Sequence, residues 1–490
     1  MKKMHAVLCF IFLVVLPFSI LNAQRKTKHT TKGKHTTKSS TTKKSSHTTK
    51  GSVEVWLTDP DKSVLFQQQP SLSFSVAQAG DAIITVNTAN RFQTMDGFGY
   101  TLTGGSAMHI QNMGAAERKA LLEELFAYDK NNIGVSYLRI SIGSSDLDDH
   151  VFSYDDLSGN ETDAQLDKFN LGQDRKWLIP VLKQIQTINP TIKILGSPWS
   201  APAWMKTNND TKGGNLRPEY YSVYANYLIK YIQAMRAEGI TINAVTIQNE
   251  PLNPKNNPSM VMQPVEQASF IKTAFGPALR RAGLNTQIWL YDHNCDRPDY
   301  ATTILQDADA AQYVDGSAFH LYGGTIDTLT QVHNAYPNKN LYFTEQWVGA
   351  PGHLKGDLDW HIKNVVIGSA INWSKVALEW NLAANSALQP HTPGGCTECL
   401  GAVTIDGNTV TRNPAYYIIA HAAKFVRPGS TRIASPVLAA LPNAAFKTPA
   451  GKIVLLVENS SDTTKTFMVN CDGKMFSAVL NAGAVATYAW

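Results

Sequence analysis

The first 52 residues contain no acidic side chain, and beyond residue 21 no stretch is long and apolar enough to cross a bilayer. Charged residues are scarce, at 17 % of the chain, and there are only five cysteines in 490 residues. No GxGxxG follows an early strand pattern, which argues against an open dinucleotide-binding sheet. The single CxxC has no second copy to complete a zinc site. What is present is ample core material, 43 % hydrophobic and 9 % aromatic, so a wholly disordered chain is excluded. The length suits two or three units, or one large barrel with an attachment.

The net charge of +5 suggests an anionic partner until its distribution is examined. Eleven Lys and Arg fall within residues 1–52, leaving 33 basic and 39 acidic groups, a net of −6, in the rest. An acidic body argues against nucleic-acid binding. Lys2 and Lys3 precede an apolar run over 6–21, and Leu21-Asn22-Ala23 offers a small-residue cleavage site. Residues 1–23 therefore read as a signal peptide, and the protein is expected to be secreted, periplasmic or at the cell surface. Residues 24–52 are almost all Thr, Ser, Lys, His and Gly, with Thr-Thr-Lys repeated four times. Such a segment has no core-forming residues and reads as a disordered basic tether, with contact to envelope or anionic glycan as its sharper reading. Its histidines make only a weak metal tract. Of the four cysteines after the leader, Cys396 and Cys399 are placed for a local disulfide or free thiols; the pairing of all four, with Cys295 and Cys471, stays open.

Short apolar runs at 97–102, 135–140, 192–195, 244–248, 288–291, 316–322, 341–344 and 376–380 read as strands. Stretches 116–127 and 220–237 carry apolar residues at helical spacing. Strands alternating with helices imply a parallel sheet, and eight repeats over about 300 residues imply a (β/α)8 TIM barrel. Runs 53–58, 82–86, 453–457, 466–469 and 484–490 alternate as β-type segments. They read as one small β-sandwich side domain built from both chain ends. The expected division is 53–91 for the N-terminal part of the sandwich, 92–425 for the catalytic barrel and 426–490 for the C-terminal part.

Catalytic groups of such barrels lie at the C-terminal ends of the strands. The fourth strand delivers Gln248-Asn249-Glu250-Pro251 there, and the seventh delivers Thr344-Glu345-Gln346-Trp347. A lone Glu at a strand end is ordinarily a surface carboxylate. Two of them on facing strands suit retaining glycoside hydrolysis, in which one carboxylate attacks and the other transfers a proton. The acid needs a raised pKa, and its neighbour's charge is expected to supply part of it. Trp199, Trp204, Tyr322 and Trp380 lie at strand ends, where indole and phenol rings stack on the C–H faces of sugars. Arg139 ends the second strand and is expected to pair with Glu345 or Asp146, since a buried Arg is costly alone. Two carboxylates suffice for this chemistry, so no cofactor and no metal is expected.

The ordered set Gly97-Phe98-Gly99, Ser197-Pro198-Trp199, Asn249-Glu250-Pro251, Thr344-Glu345 and Trp380-Asn381-Leu382-Ala383 resembles glycoside hydrolase family 30, which includes glucosylceramidases and β-1,6-glucanases. The resemblance covers most of residues 53–490. It implies Glu250 as acid/base, Glu345 as nucleophile, and Asn249, Trp199, Tyr322 and Trp380 as substrate-binding residues; His293, at another rim position, and Arg139, at its strand end, are expected to join them. One departure stands out: glucosylceramidases carry an acid shortly after Gly-Phe-Gly, where this chain has Gly104. Loss of that clamp favours a glycan continuing beyond the cleaved sugar, as in an endo-β-1,6-glucanase. The stretch 391–399 also departs from the glucosylceramidase pattern and reads as a substrate-facing loop or a stiff turn. The alternatives are a glucosylceramidase or exo-β-glucosidase, and a catalytically silent glycan-binding protein. The expected partner is a β-glucan or other β-glucoside, and the expected state is a monomer.

Overall fold

The computed structural model describes residues 51–75 and 82–490. The expected signal peptide and nearly all of the tether lie outside them.

Eight parallel strands close into a barrel in the order of the chain: Gly97–Thr101, Tyr137–Ile142, Lys193–Pro198, Ala244–Thr246, Gln287–Asn294, Val314–His320, Asn340–Glu345 and Ser374–Asn381. The last pairs with the first, leaving no open edge. Each overlaps one of the eight expected runs. The second strand explains why these runs are nearly all apolar. Leu138 and Ile140 face outward into the core shared with the helices, while Tyr137 faces the barrel axis. Helix Ala115–Phe126 packs by burying Leu121, Leu122, Leu125 and Phe126, a stripe one turn apart. The longer helix Tyr221–Ala237 buries a similar stripe that includes Tyr224, Leu228, Tyr231 and Ile232.

Both chain ends build the β-sandwich. Its strands run in the order Gln67–Ser73, Ser52–Thr58, Val485–Ala489, Ile453–Glu458, Asn443–Lys447, Thr431–Ala434, Ala82–Thr94, Lys465–Cys471 and Lys474–Leu480. Ala82–Thr94 is long enough to join both halves. Its first residues pair parallel with Lys465–Cys471, and its later ones pair antiparallel with Thr431–Ala434. Strand Ile453–Glu458 is buried on both faces. Ile453, Leu455 and Val457 enter the sandwich core, while Val454 and Leu456 enter the barrel core. Val485 and Ala489 do the same for the last strand. The two domains are therefore fused through apolar packing.

Candidate active site

Period-two alternation builds the barrel interior in layers. The lower layer is an apolar plug of Tyr137, Leu195, Ala244, Trp289, Ala318, Tyr342, Val376 and Leu378, with Trp289 and Tyr342 stacked 3.5 Å apart. Two residues further along five of these strands stand Arg139, Ser197, Thr246, His320 and Thr344. All five donate to one carboxylate, Asp292. The distances are 2.8 Å from Arg139 Nη2, 2.6 Å from Ser197 Oγ, 2.8 Å from Thr246 Oγ1, 3.0 Å from His320 Nε2 and 2.7 Å from Thr344 Oγ1.

Asp292 reaches this place because the fifth strand breaks its alternation. Tyr291 and Asp292 take φ of 74° and 65°, and the ladder slips between Tyr291 and His293. Tyr291 turns out to the helices and Asp292 turns in. Burial alone would raise the Asp292 pKa; the Arg139 cation and the His320 hydrogen bond outweigh it and hold the carboxylate well below its usual range.

The two glutamates sit above this layer. Arg139 Nη1 donates to Glu345 Oε2 at 2.5 Å, and Tyr322 OH donates to Glu345 Oε1 at 2.8 Å. Glu250 itself takes φ of 44°. Its Oε2 accepts from Asn253 Nδ2 at 2.7 Å, and its Oε1 lies 3.5 Å from His320 Nδ1 and 3.9 Å from His293 Nε2. His320 Nδ1 is also 3.7 Å from Glu345 Oε1, so one imidazole bridges both carboxylates. The nearest donor atoms of Glu250, His320 and Glu345 all fall within 4.8 Å of one another. Such close oxygens suit the roughly 5–5.5 Å carboxyl pair of retaining enzymes better than the ~6.5–9.5 Å that an inverting enzyme needs for its water.

The same three donors are the one group among the described residues with a metal-ligand arrangement. Burial disfavours a charged His320, yet Glu345 and Asp292 outweigh it and raise its pKa to about 9. A protonated imidazole offers no lone pair, so the cluster is better read as a hydrogen-bonded charge network than as a cation site. This charge also reverses the expected tuning of Glu250. Burial pushes its pKa up, but His320 and His293 bring it down to about 2. Glu345 is shifted upward, mainly by burial. The neighbouring carboxylate was expected to raise Glu250; the imidazolium between them prevents it. The upward shift of His320 and the downward shift of Glu250 both favour the proton on His320, whose Nδ1 lies 3.5 Å from Glu250 Oε1.

A cleft of ≈ 520 Å³ opens over the pair, lined among others by Asp146, Trp199, Asn249, His293, Tyr322, Trp347 and Trp380. Trp199 and Trp380 stand 5.4 Å apart at 30° and form an aromatic wall. Tyr322 is 40 % exposed but turns its hydroxyl onto Glu345. Of the expected substrate-binding residues, Arg139 alone is absent from the cleft. It is 0 % exposed, lies 4.8 Å beneath the Trp199 ring, and reaches the site only through Glu345 and Asn249. Its partner is Glu345, with Asp292 beside it, and not Asp146. Trp204 is also outside the cleft, packed edge-on against Tyr220 with its indole N–H on the Asp155 carbonyl.

Gly104 does not leave the site without an acid. A Cβ there would run into Asp148 Oδ1, so the carboxylate of another loop fills the space. Two residues before it, Asp146 lines the cleft and accepts from the Cys396 N–H at 3.2 Å. Position 104 itself carries no acid, and Asp146 is the aspartate that faces the cleft. Cys396 and Cys399 form a disulfide on the cleft wall, while Cys295 and Cys471 are free and buried. Two residues of the 391–399 segment thus face the cleft. Sequence reading missed the central role of Asp292; its only signal was a polar residue interrupting an apolar strand.

Comparison with known proteins agrees with this geometry. Residues 95–426 match the glycosyl hydrolase family 30 TIM-barrel domain, and residues 429–488 match the family 30 beta sandwich domain. The chain is 38 % identical to an endo-1,6-beta-D-glucanase of Aspergillus fumigatus, over 69 % of this chain and 71 % of that one. It is 27 % identical to the lysosomal acid glucosylceramidase of Mus musculus, over 83 % of each. A solved endo-beta1,6-glucanase superposes with a TM-score of 0.83 at 36 % identity, covering 90 % of this chain and 99 % of that one.

Proposed function

The chain belongs to glycosyl hydrolase family 30, a family of retaining enzymes, and from that premise we propose that it is an exported endo-β-1,6-glucanase. In this reading Glu345 attacks the anomeric carbon while Glu250 protonates the departing glycosidic oxygen. The C1–O bond breaks and an ester forms between C1 and the Glu345 carboxylate. Glu250, now an anion, takes a proton from water as that water attacks C1 and releases Glu345.

The observation that carries the reading is the Glu250–Glu345 pair, within 4.8 Å at the mouth of a closed barrel. Tyr322 and Arg139 each hold one oxygen of Glu345, which fixes the carboxylate for in-line attack. His320 supplies the proton that Glu250 needs once substrate displaces water from the cleft. Trp199 and Trp380 offer a stacking wall to the sugar under attack, and Asp146 offers a carboxylate to its hydroxyls. The choice of linkage rests on the 36–38 % identical relatives named as β-1,6-glucanases. Export rests on Lys2, Lys3 and the apolar run that follows them.

Early products from β-1,3-, β-1,4- and β-1,6-glucans and from glucosylceramide test the proposal. A ladder of oligosaccharides from β-1,6-glucan alone is the expected result. Glucose as the sole early product, or faster release from glucosylceramide, would overturn it.

A further inference from the structure

The shortest hydrogen bond to Glu250 comes from a neutral side chain, Asn253, whose Nδ2 lies 2.7 Å from Glu250 Oε2. The turn that places it is local. Glu250 has φ of 44°, and the Asn253 N–H donates back to the Glu250 carbonyl at 2.9 Å. Asn256 from the same loop adds a longer contact to Oε2 at 3.4 Å. Both amides line the cleft. The other oxygen, Oε1, has different neighbours: His320, which also touches Glu345, and His293. The two oxygens of Glu250 are therefore not equivalent.

An amide NH2 donates and cannot accept. Oε2, engaged by Asn253, is kept as an acceptor, so a proton on the neutral acid belongs on Oε1. That oxygen shares His320 Nδ1 with Glu345 Oε1, which puts it on the side of the reacting pair. We propose that Asn253 is a positioning residue that directs the catalytic proton to Glu250 Oε1 and favours Glu250's return to the anion between the two steps. The inference rests on Glu250 being the acid/base. Other charged or titratable groups facing Glu250 are His293, His320, Glu345, Asp146 and Tyr322, and Asn253 adds a neutral donor to them.

The sign of the pH effect follows. A donor to the carboxylate lowers its pKa, so removing the donor raises it. In the substrate complex, where the proton has passed to Glu250, Glu250 then keeps it to higher pH, and the alkaline limb of kcat moves up. The loss of one charge-assisted bond corresponds to a shift of about one pH unit or more. A proton misdirected to Oε2 also slows cleavage of poor leaving groups, by roughly tenfold, and spares activated aryl glycosides that need no protonation.

The test compares Asn253→Ala and the isosteric Asn253→Asp with the full-length enzyme. Each is assayed from pH 4 to 9 on a β-1,6-linked gluco-oligosaccharide and on a dinitrophenyl β-glucoside. An upward move of the alkaline limb, with a loss at least five times larger on the oligosaccharide, is expected for both variants. An unmoved limb, or equal losses on the two substrates, would overturn the inference. Glu250→Ala is run alongside. If that variant cleaves the oligosaccharide at the wild-type rate, the acid/base assignment itself fails. If Glu250→Ala is inactive on the oligosaccharide and the limb of Asn253→Ala stays in place, only the role of Asn253 fails.

Discussion

Asp292 ties the strand-end residues of five other barrel strands to one anion, and this makes it the residue on which the site's geometry most depends. Asp292→Asn keeps the shape and removes the charge. It leaves Arg139 and His320 with less compensation in a buried layer, and breaking such a pair costs about 3–5 kcal/mol. Denaturant unfolding at pH 7 should register a loss of that order, together with a fall in kcat, because Arg139 also holds Glu345. Unchanged stability would mean that the remaining partners carry the charges. The two glutamates themselves were legible in the sequence, because an apolar run ending in Asn-Glu-Pro or Thr-Glu places a carboxylate on the rim. Asp292 was not, because its importance comes from a break in alternation and from partners scattered over more than 200 residues. The upward shift of His320 was equally hidden, since it follows from three carboxylates meeting in space.

Strands and helices carry a second set of titratable groups, buried at the joint between the domains. His421, on helix Pro414–Ala423, is buried between Thr58 Oγ1 at 2.8 Å and Thr487 Oγ1 at 3.0 Å. Burial lowers its pKa to about 3. Glu458 ends strand Ile453–Glu458 at 0 % exposure, and burial followed by nearby Asp359 raises its pKa to about 10. The signs are opposite. A His with a depressed folded pKa contributes stability above its unfolded value of about 6.5, lost as pH falls toward 3. A carboxyl with a raised folded pKa contributes stability below about 4.5, lost as pH rises toward 10. Each proton sets a slope of up to about 1.4 kcal/mol per pH unit. Glu458→Gln should therefore flatten the alkaline side of the stability–pH curve and leave the acid side in place. A wild-type slope above pH 7 in that variant would show that Glu458 does not set it.

At this scale the barrel strands and the two longest helical patterns were readable, since their periodicity is strong. Several sandwich strands were not. Gln67–Ser73 is a polar edge strand containing Pro70, and Thr431–Ala434 spans only four residues. Asn443–Lys447 has two alanines and little β preference. Lys474–Leu480 did carry an alternating signal, with Phe476, Ala478 and Leu480 turned inward.

For the whole molecule, the net charge of +5 averages a basic leader and tether with a body of −6, so it carries no information about the substrate. The architecture does. A closed barrel puts its fourth and seventh strands across one mouth, and a sandwich made from both chain ends packs against the barrel core. The fold class was legible because eight apolar runs leave few alternatives. The cleft wall was less so, since Asp146, the 391–399 segment and the loop after Glu250 meet only in the folded chain. Thr392 there bonds both the Asp146 carbonyl and the Asn257 carbonyl. The central claim is that this assembly works by double displacement with Glu345 as nucleophile. Its most direct test is to trap the covalent intermediate with a 2-deoxy-2-fluoro-β-glucoside bearing a good leaving group and map the label by peptide mass spectrometry. The account predicts a single sugar on Glu345, released slowly when an acceptor is added. Label on Glu250, or turnover that gives an α-configured first product without any trapped ester, would contradict it.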